Sequence, residues 1–358
     1  MKCYRLEKVI VNATILRGEE LELIEEGFLR IEDGLIKEVG EGYERGGMDY
    51  KEYVLIPALM NSHTHLGDSF AKEAVSGLDV REAVGPEGRK WQLYGGECEE
   101  SIVDGMGGSV EYMQELGTTF FADFREGGKI GIDRLRKACE GSRIKKRILG
   151  RDVDINYVDG LGLNVYNLDQ IPEDRGNKLI AIHAGEEEGE VSLALEHDPD
   201  IIIHATLATR EEIKDIAERE IDVVVCPRSN AALGVGFPPV RELIDADVRV
   251  CLGTDNVMIN SPNLFREMEY LYKSSHLFGS LSPIEVLQTC TVNPSKMFKL
   301  NSGFIGEGRD ADLVFIDKDS VNMRHSRDIL ASIVSRCGSA DVKKVMVEGE
   351  MVVNKDER

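Results

Sequence analysis

Apolar residues in the middle of this chain fall into short unbroken runs separated by segments of helical pattern. The runs are Leu55–His65, Gly117–Asp123, Lys146–Gly150, Leu161–Tyr166, Lys178–His183, Ile201–His204, Asp222–Cys226 and Val248–Asp255. Helical patterns occupy Val110–Leu116, Ile132–Ala138, Val191–His197, Glu211–Glu220 and Val240–Ala246, with two more at 262–276 and 282–290. Strands apolar on both faces and joined by helices predict a parallel sheet covered on both sides. Eight of them predict a closed (β/α)8 barrel of the TIM type.

The two ends of the chain read differently. Val9–Val11, Leu21–Ile24, Gly27–Ile31 and Leu35–Val39 are short strands, with Glu32-Asp33-Gly34 as a hairpin signal. Short strands return over 303–353, at Ala311–Asp317 and Val342–Val353. The expected division is a small β-sandwich domain made from 1–56 plus 303–358, and a barrel over 57–302. Length supports two units, since 358 residues exceed one ordinary core. The segment 66–109, punctuated by Gly77, Gly85-Pro86, Gly88 and Gly95-Gly96, reads as a long loop with a helix near 99–116. Trp91 anchors that loop.

Composition narrows the function classes. A formal net charge of −22 disfavours nucleic acid and anionic membranes as partners. No apolar run approaches the length needed to span a bilayer, and the stretch Met1–Arg5 leads into a charged segment rather than a signal region. A cytoplasmic location is expected. The seven cysteines are scattered and form no C-x-x-C pair, which argues against a disulfide framework and a cysteine zinc site. Cys226 and Cys251 sit in apolar runs and read as core.

The chemistry lies at the ends of the predicted strands. His63 and His65 alternate along a strand and so share a face. His183, His204 and Asp255 each end a later strand. Strand C-termini in such a barrel converge on one face, so residues far apart in sequence meet there. Three imidazoles and a carboxylate suit Zn²⁺, with Fe²⁺ or Mn²⁺ as alternatives. Glu186, three residues after His183, stands at the rim of the same pocket. Taken singly, His183 or His204 could be a core histidine, Asp255 a helix cap and Glu186 part of a solvated acidic run. Their joint placement at strand ends favours a site. His197, His276 and His325 end no strand of the series and receive no role.

The stretches PALMNSHTHLGDS, GTTFFADF, IAIHAGE, IIIHATLAT, VVVCPRSNAALGVGFPPVRELIDADVRVCLGTDN and GFIGEGRDADLVFID resemble the amidohydrolase superfamily. The resemblance is closest to its branch of cytosine, guanine and S-adenosylhomocysteine deaminases and related chlorohydrolases. It implies that His63, His65, His183 and Asp255 ligate one divalent metal, that Glu186 shuttles protons to a substrate ring, and that His204 orients or polarises the attacking water. Asp255 would also take the water's proton. Two-metal members of the superfamily use a lysine after the fourth strand, and Leu161–Asn167 holds none, so one metal is expected. The H-x-E and P-C-x-x-C signature of the other zinc deaminases is absent.

The chain departs from such relatives in being short. Ser76-Gly77-Leu78-Asp79 stands where adenosylhomocysteine-type relatives have an R-G-x-x-D-D-like pattern, and the third and fourth strand regions are truncated. Those regions shape substrate pockets. Arg125 and Arg151, after the second and third strands, could meet an anionic or carbonyl group of a substrate or be plain surface arginines. The leading expectation is a metal-dependent hydrolase, an aminohydrolase that frees ammonia from an amino-substituted purine, pyrimidine, pterin or triazine. The alternatives are an imidazolonepropionase-like cyclic-amide hydrolase and a non-catalytic barrel that binds a ligand. The expected partner is a small heterocycle, and the resemblance allows a homo-oligomer.

Overall fold

A computed structural model describes residues 7–42 and 44–357. The amino-terminal stretch Met1–Arg5, with Cys3, lies outside the described residues. In chain order the strands are β1 (Glu7–Arg17), β2 (Glu22–Glu32), β3 (Leu35–Glu41), β4 (Met48–Asp49), β5 (Tyr53–Pro57), β6 (Leu59–His65), β7 (Thr118–Arg125), β8 (Lys145–Gly150) and β9 (Gly160–Asn164). They continue as β10 (Leu179–Ala184), β11 (Ile201–His204), β12 (Asp222–Val225), β13 (Val250–Leu252), β14 (Asp255–Asn256), β15 (Leu313–Asp317), β16 (Val342–Val347) and β17 (Glu350–Asn354).

Two sheets result. The first has the order β17-β16-β15-β5-β1-β2-β3, with β4 on β1. It joins both ends of the chain through antiparallel pairing of β15 with β5, where Val314 faces Ile56. Its core includes Ile10, Ile15, Leu29, Leu55, Leu313 and Phe315. It is one sheet, whereas a sandwich needs two sheets packed face to face.

The second sheet has the order β13-β12-β11-β10-β9-β8-β7-β6-β14. Only Gly253 and Thr254 separate β13 from β14, so one short segment supplies both ends of this order. Through Val250–Leu252 it pairs in parallel with β12, and through Asp255–Asn256 in parallel with β6. The sheet is therefore curled, in a mixed α/β architecture. Helices α4 (Gly128–Ala138), α5 (Glu190–Leu195), α6 (Arg210–Glu218) and α8 (Val240–Asp245) fall between its strands, with α7 (Pro227–Ala232) before α8; α1 (Val80–Val84), α2 (Arg89–Tyr94) and α3 (Glu99–Glu115) precede β7. Every residue of β6, β7 and β11 is buried, as the unbroken apolar runs predict. After β14 come α9 (Leu264–Phe278), α10 (Pro283–Gln288), α11 (Val292–Met297) and α12 (Ile329–Arg336).

Backbone proximity divides the chain into two compact units. One gathers the described residues of Met1–Met60, Met113–Phe120 and Ser282–Arg358; the other gathers Asn61–Tyr112 and Phe121–Leu281. No helix among the described residues is long and apolar enough to cross a membrane.

Three expectations need correcting. The run Leu55–His65 is two strands in two sheets. Pro57 has no N–H for a ladder, and Ala58 and Leu59 switch partners, donating to Asp312 O and Gly117 O. The segment 66–109 is mostly helical: besides α3 it holds a 3₁₀ turn at Leu66–Ala71, then α1 and α2. Asp79 caps α1 by accepting from Glu82 N, while Glu82 accepts from Asp79 N. Finally, α12 interrupts the carboxy-terminal strands, begun by Asp328 accepting from Ala331 N. Cys226 and Cys251 are core residues, fully buried.

Candidate active site

Strand β6 delivers His63 and His65 to one face, β10 delivers His183, and β14 delivers Asp255. Their ligating atoms lie within 4.8 Å of one another. His63 Nε2 is 3.1 Å from Asp255 Oδ1 and 3.1 Å from His183 Nε2. His65 Nε2 is 3.2 Å from His183 Nε2 and 3.5 Å from Asp255 Oδ1. Phe124 forms an apolar wall, with ring centroids 4.5 Å from His63 and 4.6 Å from His183. Gly253 permits this closeness, because a Cβ there would stand 2.7 Å from His63 Cβ.

Outer partners fix the imidazoles. His183 Nδ1–H donates to Leu163 O at 3.0 Å, and His65 Nδ1–H donates to Glu126 Oε1 at 2.9 Å. In the neutral rings both Nε2 lone pairs therefore point inward, 3.2 Å apart. That contact is favourable only around a cation, so the donor set fits a divalent metal. Electrostatics agree. Burial lowers His63 to about 4, against the pull of Asp255. Burial, then the neighbouring His63, His65 and His204, hold His183 well below its usual value. Neutral imidazole is the form that binds metal. Burial would raise Asp255, but its hydrogen bond and charge contact with His63 outweigh it and leave the carboxylate well below the usual range.

Three further side chains adjoin this cluster. Glu186 Oε1 lies 3.7 Å from His204 Nε2. Burial raises the Glu186 carboxyl, assisted by Asp255 and Glu190 and opposed by His204. His204 Nδ1–H donates to Asn230 Oδ1 at 3.0 Å, while Asn230 Nδ2 donates to Thr206 Oγ1 at 2.6 Å. With the amide nitrogen on Thr206, Asn230 Oδ1 takes the Nδ1 proton and His204 Nε2 faces Glu186. Ser229 Oγ donates to Asp255 Oδ2 at 2.5 Å, leaving Oδ1 for the cluster. His204 (φ 78°) and Asp255 (φ 59°) are both left-handed, a strained state for residues with a Cβ and one concentrated at functional sites.

The cluster opens into a cavity of about 890 Å³. Glu186, His204 and Asp255 line it, together with Val80, Val84 and Trp91 from the segment before α3 and with Arg151, Asn164 and Asn167. Trp91 is thus a wall of the cavity, with Nε1 donating to Gly85 O at 2.9 Å. The two arginines separate. Arg151 lines the cavity, and its Nε donates to Gly162 O at 3.2 Å. Arg125 is neither a surface residue nor a lining one: it is 2% exposed, and its guanidinium is bound by Asp123 at 3.3 Å and Glu126 at 2.8 Å. Asn230, Ser229, Glu126 and Glu190 escape sequence reasoning, as each acts through a contact that leaves no periodic trace. Only their nearness to strand ends hints at them.

A divalent-metal donor set at the strand ends of a curled parallel sheet defines a class of metal-dependent hydrolases. The model of the Amidohydrolase family matches residues 54–159 and 168–352, and the chain belongs to that family. A protein of Methanothermobacter thermautotrophicus provisionally named an aminohydrolase is 32% identical, covering 96% of this chain and 98% of its own length. A 5-methylthioadenosine/S-adenosylhomocysteine deaminase of Pyrococcus furiosus is 26% identical, covering 96% of this chain and 94% of its own. Among solved structures, an adenosine deaminase from Xanthomonas campestris with bound zinc superposes with a TM-score of 0.79, covering 98% of this chain and 93% of that one. At 18% identity, that is a likeness of fold.

Proposed function

We propose that this chain is a metal-dependent aminohydrolase that releases ammonia from an amino-substituted purine, pyrimidine, pterin or triazine. The observation that carries the reading is the convergence of three imidazole Nε2 atoms and one carboxylate beside a half-buried Glu186, on the wall of a substrate-sized cavity. His63, His65, His183 and Asp255 would hold one divalent ion, Zn²⁺ ahead of Fe²⁺ or Mn²⁺. When bound, such an ion supplies a Lewis acid that brings the pKa of water to about 7.

The residues divide the proton work. Asp255, its Oδ2 engaged by Ser229, takes the proton of the attacking water at Oδ1. Glu186, whose carboxyl burial pushes upward, donates a proton to a ring nitrogen and makes the amine-bearing carbon electrophilic. His204, steered by Asn230, orients the water through Nε2. The proton held by Asp255 then passes to the amine, the C–N bond breaks with loss of ammonia, and the hydroxyl proton of the new C–OH returns to Glu186 as the carbonyl forms. One water is consumed for each ammonia formed. Arg151 is the candidate for an anionic or carbonyl group of the substrate. The relative from Pyrococcus furiosus is named a 5-methylthioadenosine/S-adenosylhomocysteine deaminase, and such adenosine derivatives lie within the proposed class.

We further propose that the curled sheet closes into a (β/α)8 barrel over 57–302, that 1–56 with 303–358 form a small β domain, and that the protein works in the cytoplasm. The test is Glu186→Gln in metal-loaded protein. Turnover is expected to fall by about 10²–10⁴-fold with metal content unchanged. Near-normal turnover overturns the role of Glu186.

A further inference from the structure

Of the three imidazoles in the cluster, one is oriented by a side chain. His183 leans on a backbone carbonyl, and His63 Nδ1 is buried with no hydrogen-bond partner among the described residues. His65 Nδ1 faces Glu126 Oε1 at 2.9 Å. A carboxylate only accepts, so it demands a proton on Nδ1 and leaves the Nε2 lone pair inward. The opposite tautomer would set a lone pair against the carboxylate.

Glu126 is itself held on both oxygens. Lys90 Nζ is 2.8 Å from Oε1, and Arg125 Nη2 donates to Oε2 at 2.8 Å. Lys90 is 3% exposed and also lies 2.8 Å from Asp68 Oδ2. Tyr94 Oη donates to Asp68 Oδ1 at 2.7 Å, and Asn256 Nδ2 donates to Asp68 Oδ2 at 2.6 Å. Lys90 and Tyr94 both come from α2, in the segment that reads as a glycine-punctuated loop. A buried lysine is a poor choice for a loop anchor, whereas it suits a carboxylate that must stay fixed in one rotamer.

We propose that Glu126 is a positioning residue for the metal site: it sets the tautomer and ring orientation of His65, and Lys90 on α2, with Arg125, locks it in place. The proposal rests on the metal-site reading above. It gives α2 a task beyond lining the cavity, since helix and metal ligand are joined through Lys90 and Glu126.

The test is metal retention. Zn²⁺-loaded full-length parent, Glu126→Ala, Glu126→Gln and Lys90→Met are titrated with a chromogenic chelator, and Tm is measured for each in excess chelator. Glu126→Ala is expected to lose about 10–100-fold in Zn²⁺ affinity. Glu126→Gln, whose amide oxygen still accepts from Nδ1–H, is expected to restore most of it. Lys90→Met is expected to fall between the two, because Arg125 still holds one oxygen. Tm in excess chelator reports the folding cost of each substitution separately from metal affinity. Glu126→Ala binding Zn²⁺ within threefold of the parent overturns the proposal, and so does a Gln variant no better than Ala. If Glu126→Ala does not fold, Glu126→Asp carries the test: one methylene shorter, it should also lose affinity, and parent-like binding overturns the proposal. A parent that binds no divalent ion defeats the metal-site reading itself, a result distinct from any ranking of the variants.

Discussion

Glu186 and His204 stand 3.7 Å apart, yet different neighbours prepare them. Burial readies Glu186 as an acid, whereas Asn230 fixes which nitrogen of His204 faces the cavity. Asn230→Ala is therefore expected to lower kcat by about 10-fold or more while KM and metal content stay near the parent's, since His204 loses its steering but no ligand is touched. A change confined to KM would contradict this. Asp255→Ala removes a ligand and a proton acceptor together, so turnover and metal content should fall in parallel, measured by rate and by elemental analysis. At this scale the strand-end residues were the legible ones. His63, His65, His183, His204 and Asp255 follow from apolar runs that stop at them. Glu126, Asn230 and Ser229 do not, because each reaches its target from another element. Arg125 follows a strand just as Arg151 does, and only its contacts with Asp123 and Glu126 reveal a buried structural ion.

Elements supply the next layer. Glu190 opens α5, and one of its oxygens accepts the N–H groups of Gly185, Glu186 and Glu187, each at 3.0 Å. That carboxylate holds the turn that aims Glu186. Glu190→Ala would leave those amides without it and is expected to cost about 1–3 kcal/mol of stability together with a fall in kcat. Glu190→Gln, which keeps an acceptor, should recover most of both, as denaturant unfolding and rates would reveal. At the start of β12, burial raises the Asp222 carboxyl to about 6, against the pull of Arg249. A raised folded value gives stability that is fully present below the unfolded value and is lost as pH rises through about 6. Tm of the parent relative to Asp222→Asn should therefore fall between about pH 4 and pH 7, and a constant gap would contradict the shift. Strands were easier to read than helices here. Helices α1 and α2 span five and six residues, too short for a 3.6-residue period to register among glycines. The break between β5 and β6 was hidden because both strands are apolar and only Pro57 marks the change of partner.

For the whole molecule, the curled parallel sheet and the joining of the two chain ends were legible in outline. Continuous apolar strands determine the one, and matching short-strand patterns suggest the other. What stayed out of reach was the layering of the terminal strands, since an alternating pattern does not say whether partners lie in one sheet or two. A metal that binds the folded chain alone stabilises it by mass action. Zn²⁺ at about 100 times its Kd should add about 2.7 kcal/mol, and chelator should remove it, as thermal unfolding would show. The central claim meets its most direct test in ammonia release. Zn²⁺-loaded protein is offered aminated purines, pyrimidines, pterins and triazines, including nucleoside forms. Ammonia matching substrate loss mole for mole, and abolished by chelator, is the predicted result. Silence across the panel by protein shown to hold its metal would contradict it.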